Sequence, residues 1–405
     1  MGLSGVQRTV KFVKYLPEHR WTPYVLTCTP DSFYAFDDDL LNNFEGRNVK
    51  IFRTAPKKSN ERKTRKLPSY FIQKLGRYVL NFLYQPDSKI KWKKQAVELG
   101  NRIIKENKID LIVATAPPFT DFLIAQELSQ KHDIPFIMDY RDRWNDNPFH
   151  YYPTPIHRNY SRKLEKMVLK YAVHILVITR QAKENLLRRY NFLTHQDISI
   201  IPHGYDPDDF KPFSDVVPDS SKFTITHSGV FQDNRTPKYF LKAIESFIKK
   251  NPDAANKIEL RFIGVMRKSH LKLCAKFGLK DNVVTTGYVS HGESIRNLME
   301  SDVLWMMLND DVRTPGKLYE YFGARKPILI CSPDGQMRKL ALDCKAALAV
   351  DPYNVKEIEN TISTLYQLWS NRTLPKPDKD FVSQFDRTKL TAELSRQMGL
   401  SIEIN

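Results

Sequence analysis

Short runs of apolar and β-branched residues recur along the chain, each followed by a longer stretch of helical period. In the first half the runs are Tyr24–Cys28, Val49–Phe52, Leu111–Ala114, Phe136–Met138, Ile175–Ile178 and Ile198–Ile201. Helices are predicted between them at about 89–107, 119–131, 155–171 and 180–190. The second half repeats the pattern. Its strands are Thr224–His227, Glu259–Ile263, Val283–Thr285, Val303–Met307, Ile328–Ile330 and Leu348–Val350. Its helices lie at about 236–250, 268–277, 291–300, 316–323, 335–342 and 354–370, with one more at about 386–399. This is the β-α-β rhythm of a doubly wound parallel sheet, stated twice. The segment 201–221, rich in Pro, Asp and Ser, reads as a linker. The expected organisation is an α/β chain with an N-terminal Rossmann-like domain over 1–204, a second over 205–385, and a C-terminal helix and tail over 386–405. Ligands of open α/β sheets bind at the C-terminal strand edges, so two such domains are expected to face each other across a crevice. The start breaks the rhythm. Gly2-Leu3-Ser4-Gly5 leads at once into helix-like VQRTVKFVKYL, so the first domain is expected to lack its N-terminal strand.

Composition narrows the class. Among 405 residues, 41% are hydrophobic and 12% aromatic, which suits packed cores and excludes a disordered chain. No apolar run approaches the ~20 residues that cross a bilayer. The N-terminus shows no apolar signal-peptide core, and four cysteines (Cys28, Cys274, Cys331, Cys344) form no CxxC pair. A disulfide framework or zinc ribbon is therefore not expected, and a cytoplasmic setting is.

The net charge of +17 is concentrated. Residues 47–108 hold 18 Lys and Arg against four acids, with clusters at 57–66 and 89–94. Between the clusters, 67–85 carries aromatic and aliphatic residues at roughly helical spacing. Such a segment can lie on an anionic membrane surface through 57–94, each nearby cation contributing about 1 kcal/mol. It also fits an ordinary solvated loop and packed helix. No RNA-binding signature or zinc-finger spacing supports a nucleic-acid partner.

The most specific chemistry lies in RTPGKLYEYFGARKPIL (313–329). Thr314-Pro315-Gly316 forms a turn into a helix starting near Lys317. Amides at that start, around Gly316, Lys317 and Leu318, can bind phosphate with help from the dipole and the Lys317 cation. Glu320 can accept two hydrogen bonds from vicinal hydroxyls, as on a ribose. A plain amphipathic helix with a solvated Glu320 fits the same letters. In DYRDRW (139–144), Asp139, Arg141 and Asp142 follow an apolar strand and sit at its C-terminal edge. A carboxylate there can orient an acceptor hydroxyl or remove its proton, and Trp144 can stack on a sugar face. An Asp–Arg network that caps neighbouring loops fits equally. His203-Gly204 and Tyr205 suit either a donor contact or a hinge turn.

The sequence resembles retaining glycosyltransferases of the GT-B fold, family 4 and group 1 type. The likeness is carried by SGVQRTVKFVKYLP, QPDSKIKW (85–92), TAPPFTDFLIAQEL (115–128), IPFIMDYRDRW (134–144), ITRQAKENL (178–186) and IPHGYDPDDF (201–210). In the second half it continues through SGVFQDNRTPKYFLKAI (228–244), FIG (262–264), TGYVSHGESIRNLMESDVL (286–304) and the 313–329 helix, in order and at fitting spacing. The resemblance implies transfer of a sugar from a nucleotide diphosphate donor, UDP or GDP, to a lipid-linked or polysaccharide acceptor, with retention and without metal or cofactor. It also implies that the second domain holds the donor, and that the enzyme is cytoplasmic or peripheral at the inner membrane face. Arg235 corresponds to the family's phosphate-binding arginine. Lys268 is the favoured partner cation, ahead of Lys238 and Arg267. Gly5 lies in the first-domain loop that approaches the diphosphate. Asp142, Arg235 and Lys268 are the catalytic candidates. Two departures are visible. The first acid of the family's EX7E motif is replaced by Val312, beside Asp310 and Asp311, and Asp121-Phe122 stand where a first-domain His is common. The competing readings are a degenerate, non-catalytic nucleotide-sugar-binding protein and a GT-B nucleotide-sugar epimerase.

Overall fold

A computed structural model describes residues 4–29, 39–54, 76, 79–145, 147, 151–232 and 234–403. The cluster at 57–66 and most of 67–78 lie outside the described residues. The chain forms two compact units: Met1–His203 with Thr388–Asn405, and Gly204–Arg387.

In the first unit the strands are β1 (Tyr24–Thr27), β2 (Lys50–Arg53), β3 (Ile112–Ala116), β4 (Phe136–Tyr140), β5 (His174–Val177) and β6 (Ile198–Ile200). Helices of eight or more residues are α1 (Ser4–Tyr15), α2 (Lys93–Glu106), α3 (Thr120–His132), α4 (Pro155–Leu169) and α5 (Arg180–Arg189). All strand pairs are parallel, but they form two sheets, β1-β2 and β3-β4-β5-β6. Every residue of β4 is buried, because helices cover both faces. Phe136, Met138 and Tyr140 pack with Phe122 and Trp144 on one side. Ile137 meets Phe12 of α1 and Leu16 just after it on the other.

The second unit has β7 (Phe223–Ser228), β8 (Ile258–Ile263), β9 (Val283–Gly287), β10 (Val303–Met307), β11 (Ile328–Cys331) and β12 (Ala347–Val350). Its longer helices are α6 (Lys238–Lys250), α7 (Lys268–Lys276), α8 (His291–Met299), α9 (Lys317–Ala324), α10 (Gln336–Asp343) and α11 (Val355–Ser370). The parallel sheet runs β12-β11-β10-β7-β8-β9. The chain steps outward from β7 in one direction, then returns to β7's other side at β10. That reversal is a topological switch point, where the loops after β7 and β10 diverge and leave room for a ligand. Side-chain caps begin several helices: Ser290 accepts from the N–H of Glu293, and Asn354 from those of Lys356 and Glu357.

Three expectations need correction. The stretch read as a linker is built into the second unit. Phe210 packs in its core, and Tyr205 bonds to both Phe385 O at 3.0 Å and the Arg387 N–H at 2.9 Å. The C-terminal helix, α12 (Arg387–Glu403), is not a separate tail. Leu390, Leu394 and Met398 pack with α1 and β4 of the first unit. Gly323 does not end its helix; it lies inside α9, where a Cβ would meet the Phe210 ring at 2.6 Å. Arg325 takes the left-handed cap instead, at φ 55°.

Candidate active site

The second unit gathers its polar candidates at the β7/β10 switch point. Strand β7 reads FTITHS, and its His227 is enclosed among Phe231, Phe262 and Trp305. Its Nδ1 bonds to Trp305 O at 3.1 Å. The imidazole pKa falls to about 4, first by burial and further through the charges of Arg235 and Lys317. Two cations far apart in sequence therefore act on one buried, neutral ring. Lys317 opens α9 and forms an ion pair with Glu320 at 2.8 Å. Glu320 is 7% exposed, so the reading of a solvated carboxylate does not hold. Arg235 is half-buried in the loop after β7, its Nε bonded to Gln232 O at 3.2 Å.

The loop scaffold explains the letters SGV and FIG. The Gly264 N–H reaches Gly287 O and the Gly229 N–H reaches Ile263 O, each at 2.9 Å. Gly264 has φ +117°, and a Cβ there would lie 3.2 Å from Gly229 O, so only glycine fits comfortably. Tyr321 locks α9 onto the switch point. Its hydroxyl accepts the Ser228 N–H at 2.9 Å and donates to Trp305 O at 3.1 Å. Its pKa is pushed up, mainly by burial. Neither His227 nor Tyr321 was identified from sequence. The signals were present: an imidazole inside an apolar strand, and a phenol beside Glu320 on an otherwise apolar helix face.

Other candidates fare differently. Gly316 caps α9 with nothing within 4 Å of a would-be Cβ, so its surroundings are open. The Leu318 side chain is fully buried in the core, and its N–H already bonds to Pro315 O at 3.2 Å; it is a packing residue. Lys268 is exposed at the first position of α7. That helix reaches the switch point through His270, whose ring lies 5.3 Å from Phe231. Asp310 precedes Val312 in the loop after β10. Its Oδ1 accepts the N–H groups of Val312 and Arg313, at 3.1 and 2.8 Å, and so shapes the turn. Among the described residues no three His, Cys, Asp or Glu side chains converge as a metal site.

In the first unit, Gly5 belongs to α1 rather than to a loop. Asp139 is 3% exposed, and its carboxylate takes Arg8 Nε and Nη2 at 3.1 and 2.9 Å and the Thr115 hydroxyl at 2.9 Å. Arg8 is itself 1% exposed and donates to Pro202 O at 2.7 Å. Asp139 is therefore enclosed in an Asp–Arg network and cannot meet an acceptor; its partner is Arg8 rather than the nearby Arg141. Arg141 donates to Pro117 O, and burial pulls its pKa down against the attraction of Asp139 and Asp142. Asp142 is exposed. Trp144 is 1% exposed, stacked on Phe119 at 4.8 Å, with Nε1 donating to Ser161 at 3.0 Å. It is a core residue and offers no face to a sugar.

Two Rossmann-like α/β halves with a charged switch point in the second define the GT-B class of glycosyltransferases. The chain belongs to Glycosyltransferase Family 4, which it matches over residues 4–209, and continues as Glycosyl transferases group 1 over 222–368. No curated protein sequence matches it. Among solved structures it is similar to a glycosyltransferase from Rickettsia africae, at 15% identity and TM-score 0.64, covering 98% of this chain and 95% of that one. It is also similar to Anabaena HepE in complex with UDP and glucose, at 13% identity and TM-score 0.62, covering 98% and 96%. A sucrose-phosphate synthase from Thermosynechococcus elongatus aligns at 13% identity and TM-score 0.60, covering 95% and 100%.

Proposed function

We propose that this glycosyltransferase moves a hexose-type sugar from a nucleotide diphosphate donor to a lipid-linked or polysaccharide acceptor, with retention and without a metal. The observation that carries the reading is the Lys317–Glu320 ion pair at the start of α9, with Glu320 buried and Tyr321 of the same helix bonded to Ser228 at the end of β7. Breaking the glycosidic bond leaves negative charge on the β-phosphate and positive, oxocarbenium-like character on the sugar. Fixed cations and the positive end of the α9 dipole stabilise that developing charge without moving. Glu320 receives the ribose hydroxyls. Keeping His227 neutral spares the site a buried cation that salt and pH would alter. The UDP seen with HepE makes a uridine donor the first choice. On the acceptor side, exposed Asp142 is the carboxylate that a substrate hydroxyl can reach.

Calorimetry against a panel of UDP and GDP sugars tests the donor assignment. Glu320→Ala should weaken nucleotide affinity roughly tenfold or more, the range for a hydrogen bond to a charged group. Arg235→Ala should lower kcat by about 10²–10³, as for other lost transition-state donors. Unchanged affinity and rate in both variants would remove the second unit as the donor site.

A membrane-borne acceptor is supported by a patch on the first unit. Val79, Leu80, Phe82 and Leu83 are exposed, and Phe82 packs on His157 of α4 at 5.1 Å. This puts them beside Ile156, which is 78% exposed. Lys89, Lys91 and Lys94 follow, with Lys91 over the Tyr84 ring at 4.4 Å. Aliphatic side chains rimmed by lysines suit the headgroup boundary of an anionic bilayer. Sedimentation with anionic vesicles should show binding that falls with salt and is reduced by the triple change Phe82→Ser, Leu83→Ser, Ile156→Ser. Equal binding to neutral vesicles would count against this docking.

A further inference from the structure

At the C-terminal edge of the second unit's sheet, one aromatic ring stands outside the group formed by Arg235, Lys317 and Glu320. Tyr353, in the short loop after β12, is 48% exposed. The loop around it is clamped. Asp351 Oδ1 accepts the Tyr353 N–H at 2.7 Å, and Glu357 Oε2 accepts the Asp351 N–H at 3.3 Å. Asn354 donates to Glu357 Oε1 at 2.7 Å and caps α11. The ring itself is braced by Tyr239, the second residue of α6, which packs on the core beneath. The two rings meet at 5.2 Å and 80°. A right-angle contact covers at most one face of Tyr353, and no other aromatic ring engages it among the described residues. Burial, then Tyr239, Asp351 and Asp310, push the Tyr353 phenol pKa up, so the loop after β10 also faces this spot. Lys238 completes the surroundings, with Nζ 5.5 Å from the Tyr239 ring.

This spot differs from the switch point in what it can hold. β12 lies three strands from β7, roughly 14 Å across the sheet. The charges around the ring nearly balance: Asp351 and Asp310 stand against Lys238 and Arg313, which pairs with Asp310 at 3.4 Å. Neither a phosphate nor a cation is strongly attracted, and a single open ring makes no aromatic cage. The fitting ligand is neutral, with one apolar face and hydroxyls around its rim. A pyranose has that form. Its C–H face covers an aromatic ring, and its hydroxyls donate to a carboxylate. Asp351 is exposed, and its Oδ2 takes no hydrogen bond among the described residues. We infer that Tyr353, with Asp351 beside it, is a subsite for one pyranose unit of a neutral glycan. Its distance from α9 separates it from the group that holds the donor. It rests on the reading of a saccharide acceptor only for the name of its ligand, the acceptor's own chain, bound through a unit other than the reacting one. A clamped loop suits that task, because little ordering is lost on binding.

NMR and calorimetry on the full chain test this, with the neutral oligosaccharides cellotetraose, maltotetraose and chitotetraose as probes. At least one should bind at millimolar concentration and shift the ring resonances of Tyr353. Tyr353→Ala should weaken that binding about tenfold. Tyr353→Phe should keep it, because the ring and not the phenol makes the contact, and Asp351→Asn should weaken it by less than the alanine change. UDP affinity, measured on the same samples, should be equal in all four proteins. Unchanged oligosaccharide binding in Tyr353→Ala would overturn the inference, as would a Tyr353 ring that no probe shifts. Loss of UDP binding together with oligosaccharide binding would also overturn it, since the loop would then belong to the donor pocket. A natural chain that bound an oligosaccharide through Tyr353 but no UDP or GDP sugar would keep the subsite and remove the donor assignment.

Discussion

At the residue scale, Arg8 and Asp139 are the pair on which the first unit is least tolerant. Both are buried, and each uses nearly all of its hydrogen-bonding capacity on the other and on Pro202 and Thr115. Removing one partner of such a pair leaves an uncompensated buried charge, typically at a cost of about 3–5 kcal/mol. Arg8→Leu should lower the urea midpoint accordingly, and Arg8→Leu with Asp139→Leu should recover part of the loss. If Arg8→Leu alone left the midpoint unchanged, the pair would not be holding α1 to β4. Asp121 gives a second prediction, with a definite sign. Its Oδ1 is buried without a hydrogen bond. Burial, then the charge of Asp87, pushes its pKa up to about 8, against Arg141 and Lys89. The folded chain thus holds a proton that the unfolded chain releases near pH 4. Its contribution favours folding below pH 4 and is lost as pH rises to about 8, at up to about 1.4 kcal/mol per pH unit. Asp121→Asn should therefore gain stability relative to the natural residue across that window. A difference that does not vary with pH would place the Asp121 pKa at its ordinary value. Neither role was legible in the sequence. Arg8 lies in an amphipathic helix 131 positions from its partner, and Asp121 stood out only as the place where a His was missing.

At the element scale, legibility followed the strength of the local pattern. Among the described residues the twelve strands and the twelve longer helices were all readable, because apolar runs of three to six residues and helical periods of eight or more are hard to satisfy any other way. Ends were less so. β3 runs on to Ala116 because it pairs with Asp139 and Tyr140, a contact with no local signature. DYRDRW left two readings open for a related reason. A polar segment after a strand reads as an open edge, yet α1 covers Asp139, and Phe119 with Ser161 encloses Trp144. The segment 313–329 was legible as a turn leading into a helix that starts near Lys317. Its turn, cation and acid are adjacent in sequence, so the Lys317–Glu320 pair needs only the pitch of one helix.

At the scale of the molecule, the first unit is discontinuous, and this was not visible from the sequence. A terminal helix after two complete β-α-β series reads as a tail, because what it packs on is nearly 400 residues away. Yet Leu390, Leu394 and Met398 share a core cluster with Phe12, Leu16 and Ile137, and Trp21 Nε1 donates to Ser395 Oγ at 2.9 Å. Burying three such side chains contributes roughly 5–9 kcal/mol, comparable with the whole stability of a typical domain. A chain ending at Arg387 should therefore lose its first unit while the second, complete from Gly204 to Arg387, stays folded. Hydrogen exchange resolves the two outcomes within one sample. Amides of β4 should lose their protection, and amides of β10 should keep it. If β4 stayed as slow as in the full chain, α12 would be an appendage and not a wall of the first core. Loss of protection in β10 as well would mean that the two units fold as one.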